Sequence, residues 1–205
     1  GSGVTCGMRA SSGAIQKVKI DPQTYAVEFS TFGSTLARGI CGSGYIDILA
    51  EMLRVGIIDK SGKIKIKDHP RIRETDFGRE FVVAFKKETA IDRDIVITEA
   101  DIENLKRAKA AIFAASSILV KHMGFDFKDI EKIFIAGGFG NYLDIRNAKI
   151  IGLLADLEDE RFIFVGNSSL AGARQILLSY PAMQKANELA RKITYFELSV
   201  DPNYM

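Results

Sequence analysis

Ile133-Phe134-Ile135-Ala136-Gly137-Gly138-Phe139-Gly140 sets a short apolar, β-prone run directly against a cluster of glycines. The run from Lys132 to Ala136 reads as a five-residue buried strand. Glycines at the C-terminal end of such a strand let backbone approach a planar ligand without interference from a Cβ, and strand ends are where α/β folds bind ligands. The same glycines would equally serve a plain tight turn that needs positive φ.

Outward from that junction the chain alternates strand and helix. Upstream, Thr98-x-x-Asp101 resembles a capping box and opens the longest predicted helix, Glu99 to Met123, closed by Gly124. Ile102, Leu105, Ile112, Phe113, Leu119, Val120 and Met123 fall on one stripe of it. A helical turn is expected around Asp129. Downstream come a helix from Asp144, a strand Phe162 to Val165, helices Ser168 to Leu178 and Pro181 to Lys192, and a last strand Thr194 to Leu198.

Nearer the start, Ala14 to Ile20 and Tyr25 to Phe29 form a hairpin about the turn signal Asp21-Pro22. A helix Tyr45 to Val55 follows, with Tyr45, Ile48, Leu49, Met52, Leu53 and Val55 on its apolar face. Asp47, Glu51 and Arg54 lie on the opposite one, and Gly56 supplies the stop. The charged excursion from Ser61 through His69-Pro70 reads as a solvated rim, followed by strands Phe81 to Phe85 and Asp94 to Thr98. The pattern is α/β, a mixed sheet covered by helices, with residues 1–97 as hairpin, helix and strand excursion and 98–205 as an α/β core.

At 205 residues and 47% hydrophobic the chain can bury an ordinary core. A net charge of +2 from 28 basic and 26 acidic side chains, spread along the whole length, gives no reason to favour nucleic acid or an anionic membrane. Cys6 and Cys41, with two histidines near neither, assemble no zinc or cluster ligand set. No apolar stretch approaches the roughly 20 residues of a membrane helix, so the cytoplasm is the default compartment. The Gly-Ser-Gly start reads like the middle of a loop, and a piece of a longer protein is expected.

Two further places carry candidate chemistry. Gly42-Ser43-Gly44, ahead of the Tyr45 helix, offers backbone amides and a hydroxyl to a phosphate or to the ribose-phosphate edge of a nucleotide, or Ser43 caps the first turn. Lys109 falls about 340° around the long helix from Ile102, among apolar positions. Its ammonium either pairs with a carboxylate or slides past apolar neighbours, or else it faces a cleft and meets a phosphate. His69, His122 and Arg9 read as solvated, Asn167-Ser168-Ser169 as a helix cap, and Cys41 lacks a histidine to activate it.

Five segments in order, Cys6-Gly-Met-Arg-Ala10 with Gly13-Ala-Ile15, Arg38-Gly-Ile-Cys-Gly-Ser-Gly44, Ala108-Lys-Ala-Ala-Ile112, Ile135-Ala-Gly-Gly-Phe-Gly140 and Val165-Gly-Asn-Ser-Ser-Leu-Ala-Gly-Ala173, resemble the C-terminal part of the reductive activators of corrinoid iron-sulfur proteins. The resemblance implies a ribonuclease-H-like, actin-type ATPase lobe with Gly137, Gly138, Phe139 and Gly140 at the adenosine position, and with Gly42, Ser43, Gly44 and Lys109 as further nucleotide contacts. It implies ATP with Mg2+ as cofactor and the return of Co(II) corrinoid protein to Co(I). It also implies a [2Fe-2S] cluster in an upstream domain, because two cysteines cannot hold one. The Asp-x-Gly-Thr phosphate loops are absent here, so the excised lobe is expected to be inactive alone. The alternatives are a partner-docking or dimerisation module, or another actin-like ATPase such as a dehydratase activator or a kinase.

Overall fold

Asp21 closes the first hairpin in the computed structural model, which describes residues 3–137, 142–201 and 204. Its Oδ1 accepts from the amides of Gln23 (3.0 Å) and Thr24 (2.7 Å) and from the Thr24 hydroxyl (2.8 Å). This side-chain turn folds β1 (Ala14–Ile20) back on β2 (Val27–Thr31), antiparallel with Ile20 opposite Val27. On the other edge, β3 (Gly39–Ile40) runs parallel to β1, opposite its first two residues Ala14 and Ile15, giving the order β2-β1-β3.

Two compact units divide the chain: residues 1–112 with 142–156, and residues 113–141 with 157–205. The first holds the buried cluster, in which Ile15, Ile20, Ile40, Ile48, Phe81 and Ile97 are all but inaccessible to solvent. Each such side chain contributes about 1.5–3 kcal/mol by leaving water.

Helix α1 (Gly42–Arg54) packs along β1. It begins three residues before the expected Tyr45, with Cys41 at the cap, so the glycines form its first turn instead of preceding it. Gly56 ends it at φ 78°, as expected. A second sheet is a fully antiparallel meander, β4 (Ile72–Thr75), β5 (Gly78–Ala84) and β6 (Ile95–Thr98). Its first strand, Ile-Arg-Glu-Thr, lies between the excursion and the expected strand at Phe81 and adds a strand to the two expected there.

The expected capping box starts α2 (Glu99–His122): the Asp101 amide donates to Thr98 Oγ1 and the Thr98 amide to Asp101 Oδ2, both at 3.0 Å. The apolar stripe of α2 is only partly a core face. Ile102 is buried, but Ile112, Leu119 and Met123 are 51%, 44% and 70% exposed, and Ile118 is the buried residue of the distal half. In the first unit, α3 (Ile145–Ile150) starts at Asp144, whose carboxylate accepts the Asn147 amide.

In the second unit, β7 (Ile133–Ala136) and β8 (Phe162–Gly166) form a parallel pair with Ile133 opposite Phe162. The strand expected to be buried throughout alternates instead, with Phe134 63% exposed, because among the described residues it has one strand neighbour. Helices α4 (Ser168–Leu178) and α5 (Tyr180–Lys192) follow, capped by Asn167 and Ser179. The last expected strand does not form. Over Thr194 to Leu198 no strand is assigned, and Glu197 accepts the Ser199 amide and hydroxyl, a local bond that favours the 3-10 turn Leu198–Val200. The α/β class holds, and among the described residues its strands divide into three small sheets, of which β2-β1-β3 is mixed.

Candidate functional site

At the C-terminal ends of β7 and β8 the backbone turns through two glycines with positive φ, Gly137 at 92° and Gly166 at 63°. The Gly137 amide donates to the Gly166 carbonyl at 2.7 Å, which ties the two strand ends together. A Cβ built on either glycine would meet nothing within 4 Å. Close packing by the described residues therefore does not explain these glycines; the backbone angle does. Asn167, directly after Gly166, caps α4 by accepting the Leu170 amide at 3.0 Å, as its sequence context predicts. Gly138, Phe139 and Gly140 lie outside the described residues. Gly166 was not among the candidate residues of the sequence, although it ends β8 opposite Ala136, the residue directly before Gly137.

In the first unit, Gly42, Ser43 and Gly44 form the first turn of α1. Gly44 sits where a Cβ would lie 2.3 Å from the Ile15 carbonyl oxygen, so this glycine is required for helix to approach strand. Ser43 is 3% exposed, with its hydroxyl 3.2 Å from Cys41 Sγ, which in turn lies 3.2 Å from the Ile15 carbonyl. Ser43 is thus neither the cap nor an open anion donor, and Gly42 is the exposed member of the three.

Lys109 borders a cavity of about 350 Å³ in the same unit, walled by Leu53, Ile58, Ile102 and Ile150. Its Nζ lies 3.2 Å from the Cβ position of Gly152, where φ is 70°, so a side chain there would crowd the ammonium. Lys109 takes part in none of the ion pairs among the described residues. The geometry sets aside pairing with a carboxylate among the described residues and leaves both a stem sliding past apolar neighbours and an ammonium facing the cavity. Lys109 and Ser43 are not brought together: the cavity meets α1 at Leu49 and Leu53, about 9–15 Å along the helix from Ser43.

The sequence pattern also misplaced two carboxylates. Asp47 and Glu51, assigned to the solvent face of α1, are 6% and 8% exposed. They take the amides of β1 that lie beyond the end of β3: Val18 donates to Asp47 Oδ2 at 3.3 Å and Ile20 to Glu51 Oε2 at 2.7 Å. Asn147 of α3 donates to Asp47 Oδ1 at 2.8 Å. Burial pushes the Asp47 carboxyl up, opposed by its bonds from Asn147 and Val18. Burial also acts against Glu51, but bonds from Arg54 and from the Ile20 amide outweigh it and hold that carboxyl below its ordinary range.

Cys6 and Cys41 are both buried, and burial raises the Cys6 thiol. Among the described residues no group of three His, Cys, Asp or Glu side chains could hold a metal ion, and no helix is long and apolar enough to cross a membrane. With two cysteines in its sequence, both buried, the chain does not supply the four thiolates of a [2Fe-2S] cluster.

The family model described as the C-terminal domain of RACo, the ASKHA domain, matches residues 1–205. A solved structure described as a reductive activator for corrinoid, iron-sulfur protein superposes with a TM-score of 0.93 at 50% identity, over 100% of this chain and 33% of that one. The corrinoid activation enzyme RamQ of Eubacterium limosum is 36% identical over 215 residues, covering 100% of this chain and 36% of that protein. The [Co(II) methylated amine-specific corrinoid protein] reductase of Methanosarcina barkeri is 28% identical over 95% of this chain and 36% of its own length. The chain thus spans about a third of these relatives.

Proposed function

We propose, from the premise that this chain belongs to the family of the C-terminal ASKHA domain of RACo, that it is the ATP-binding C-terminal part of a longer activator that returns Co(II) corrinoid protein to Co(I). The fold that comes with this membership is that of the actin-like ATPases. The observation that carries the reading is the end-to-end match to activators of corrinoid proteins, together with positive-φ glycines at the paired strand ends of β7 and β8. Glycines of this kind leave room for a planar base against the backbone.

In this reading Gly137, with Gly138, Phe139 and Gly140 that follow it in sequence, receives the adenosine part of MgATP. Lys109 and the exposed Gly42 end of α1, both in the first unit, are separate candidate contacts for an anionic part of the nucleotide. Ser43 and Gly44 act one step back, fixing that helix end against β1. The nucleotide supplies binding energy: it lowers the cost of electron transfer only so far as it is held more tightly in the conformation or complex that transfers the electron. One electron takes Co(II) to Co(I). It would leave a reduced [2Fe-2S] cluster in a domain outside this chain, which becomes oxidised. A cytoplasmic setting belongs to the same proposal.

The test uses the full-length protein, its Co(II) corrinoid protein and a low-potential reductant, with Co(I) followed by absorbance. Co(I) should accumulate with MgATP and fail to do so without it. Lys109→Ala should weaken MgATP binding about tenfold by calorimetry, equivalent to about 1.4 kcal/mol. Equal Co(I) yield without nucleotide, together with unchanged MgATP affinity in the variant, would overturn the reading.

A further inference from the structure

We infer that the tip of the β4–β5 hairpin and the lysine-faced groove beside it dock the corrinoid protein, which would offer a carboxylate-rich rim around an apolar recess; the inference rests on the function proposed above. Residues 63–67 alternate Lys-Ile-Lys-Ile-Lys, with Ile64 buried while Lys63, Lys65 and Lys67 face solvent. The period of two holds the three ammonium groups on one side of an extended segment. They line an open groove of about 550 Å³ together with Thr75, Gly78 and Arg79.

The groove carries a surplus of positive charge. Four cations, Lys63, Lys65, Lys67 and Arg79, border it against two carboxylates, Glu74 and Glu99. Both carboxylates are committed. Glu99 accepts the amides of Ile64 and Arg79 at 3.1 and 3.2 Å, and Glu74 pairs with Arg79 at 3.1 Å. Lys63 and Lys65 make only loose pairs, at 3.9 and 3.4 Å, with side chains 68% and 62% exposed. Lys67 joins no ion pair among the described residues.

Beside these charges, Phe77 is 93% exposed at the turn between Thr75 and Gly78. The turn has no use for its ring. Thr75 closes it, its hydroxyl donating to the Gly78 carbonyl at 2.8 Å and accepting the Phe77 amide at 3.3 Å. Two-residue hairpin turns favour Gly, Asn and Asp, so an aromatic here needs another reason. An aromatic ring on a rigid hairpin, rimmed by charge, has the make-up of an interface anchor: the ring fills a recess and the rim sets recognition and association rate. A protein partner fits better than nucleic acid, because a recess for the Phe77 ring is a feature of a folded surface, and 28 basic against 26 acidic side chains give the chain no strong overall positive field.

The test is calorimetry of the full-length protein with its Co(II) corrinoid protein at about 50 and 300 mM salt. Phe77→Ala and the triple change Lys63→Glu, Lys65→Glu, Lys67→Glu should each weaken binding about tenfold or more. Salt should weaken wild-type binding but not that of the triple variant. MgATP affinity should stay at the wild-type value in both. Should the triple variant lose MgATP binding as well, Phe77→Ala decides alone, since its ring contributes nothing to the interior. Equal partner affinity in wild type and Phe77→Ala overturns the docking face and leaves the proposed function standing. No binding by wild type overturns both. Lysine-dependent binding of a labelled oligonucleotide would overturn the choice of partner.

Discussion

Single residues here separate two uses of glycine that look alike in sequence. Gly44 is needed because a Cβ would stand 2.3 Å from the Ile15 carbonyl, a backbone atom that cannot swing away. Gly56 is needed only for its φ of 78°, with no atom near its Cβ position. Gly44→Ala should therefore cost about 3 kcal/mol and Gly56→Ala about 1 kcal/mol, read as midpoint shifts in urea unfolding. Equal losses would mean that helix and strand are not in close contact at Ile15. At the same scale, Gly137 and Gly166 have no described atom within 4 Å of a Cβ position, so positive φ and not packing by the described residues accounts for both. Nothing local in the sequence distinguishes a glycine against a carbonyl from one against empty space. The second strand end contributes its glycine from about thirty residues further along the chain, beyond the span of any short motif.

Helix α1 and strand β1 form one element pair held by carboxylates. The Glu51 carboxyl lies below its ordinary range through bonds from Arg54 and the Ile20 amide, against the opposing effect of burial. A carboxyl lowered in the folded state adds stability above its ordinary value, and that stability is lost as pH falls through the lowered one. Glu51→Gln should accordingly cost about 2 kcal/mol at pH 7, with the gap to wild type closing as pH drops below Glu51's ordinary 4.5, measured by urea unfolding across pH. A gap that widened on acidification would refute the assignment. Asp47 has the opposite sign: its raised carboxyl disfavours the folded state at neutral pH and ceases to do so as pH falls through the raised value. The hairpin at Asp21, the capping box at Thr98 and the stops at Gly56 and Gly124 were legible because each is written within a few neighbouring residues. The burial of Asp47 and Glu51 was not. Helical periodicity assigns polar residues to water and has no means of knowing that β3 stops short, leaving β1 amides to be satisfied by a helix.

Over the whole molecule, burial is unequally shared. The isoleucine, valine and phenylalanine core belongs to the unit of residues 1–112 and 142–156. In the other unit Phe134, Leu177, Leu178 and Ile193 are 63%, 85%, 72% and 79% exposed. Hydrogen exchange should accordingly show the amides of β1, β5 and β6 protected longest and those of α4 and α5 exchanging first, with the reverse order counting against this distribution of the core. Both native cysteines belong to the better-packed unit, Cys6 with its thiol raised by burial and Cys41 lodged against Ile15. Maleimide reagents should therefore pass them by in the folded chain, so that one cysteine introduced on the surface could carry a fluorophore or spin label without background and without first stripping out the native thiols.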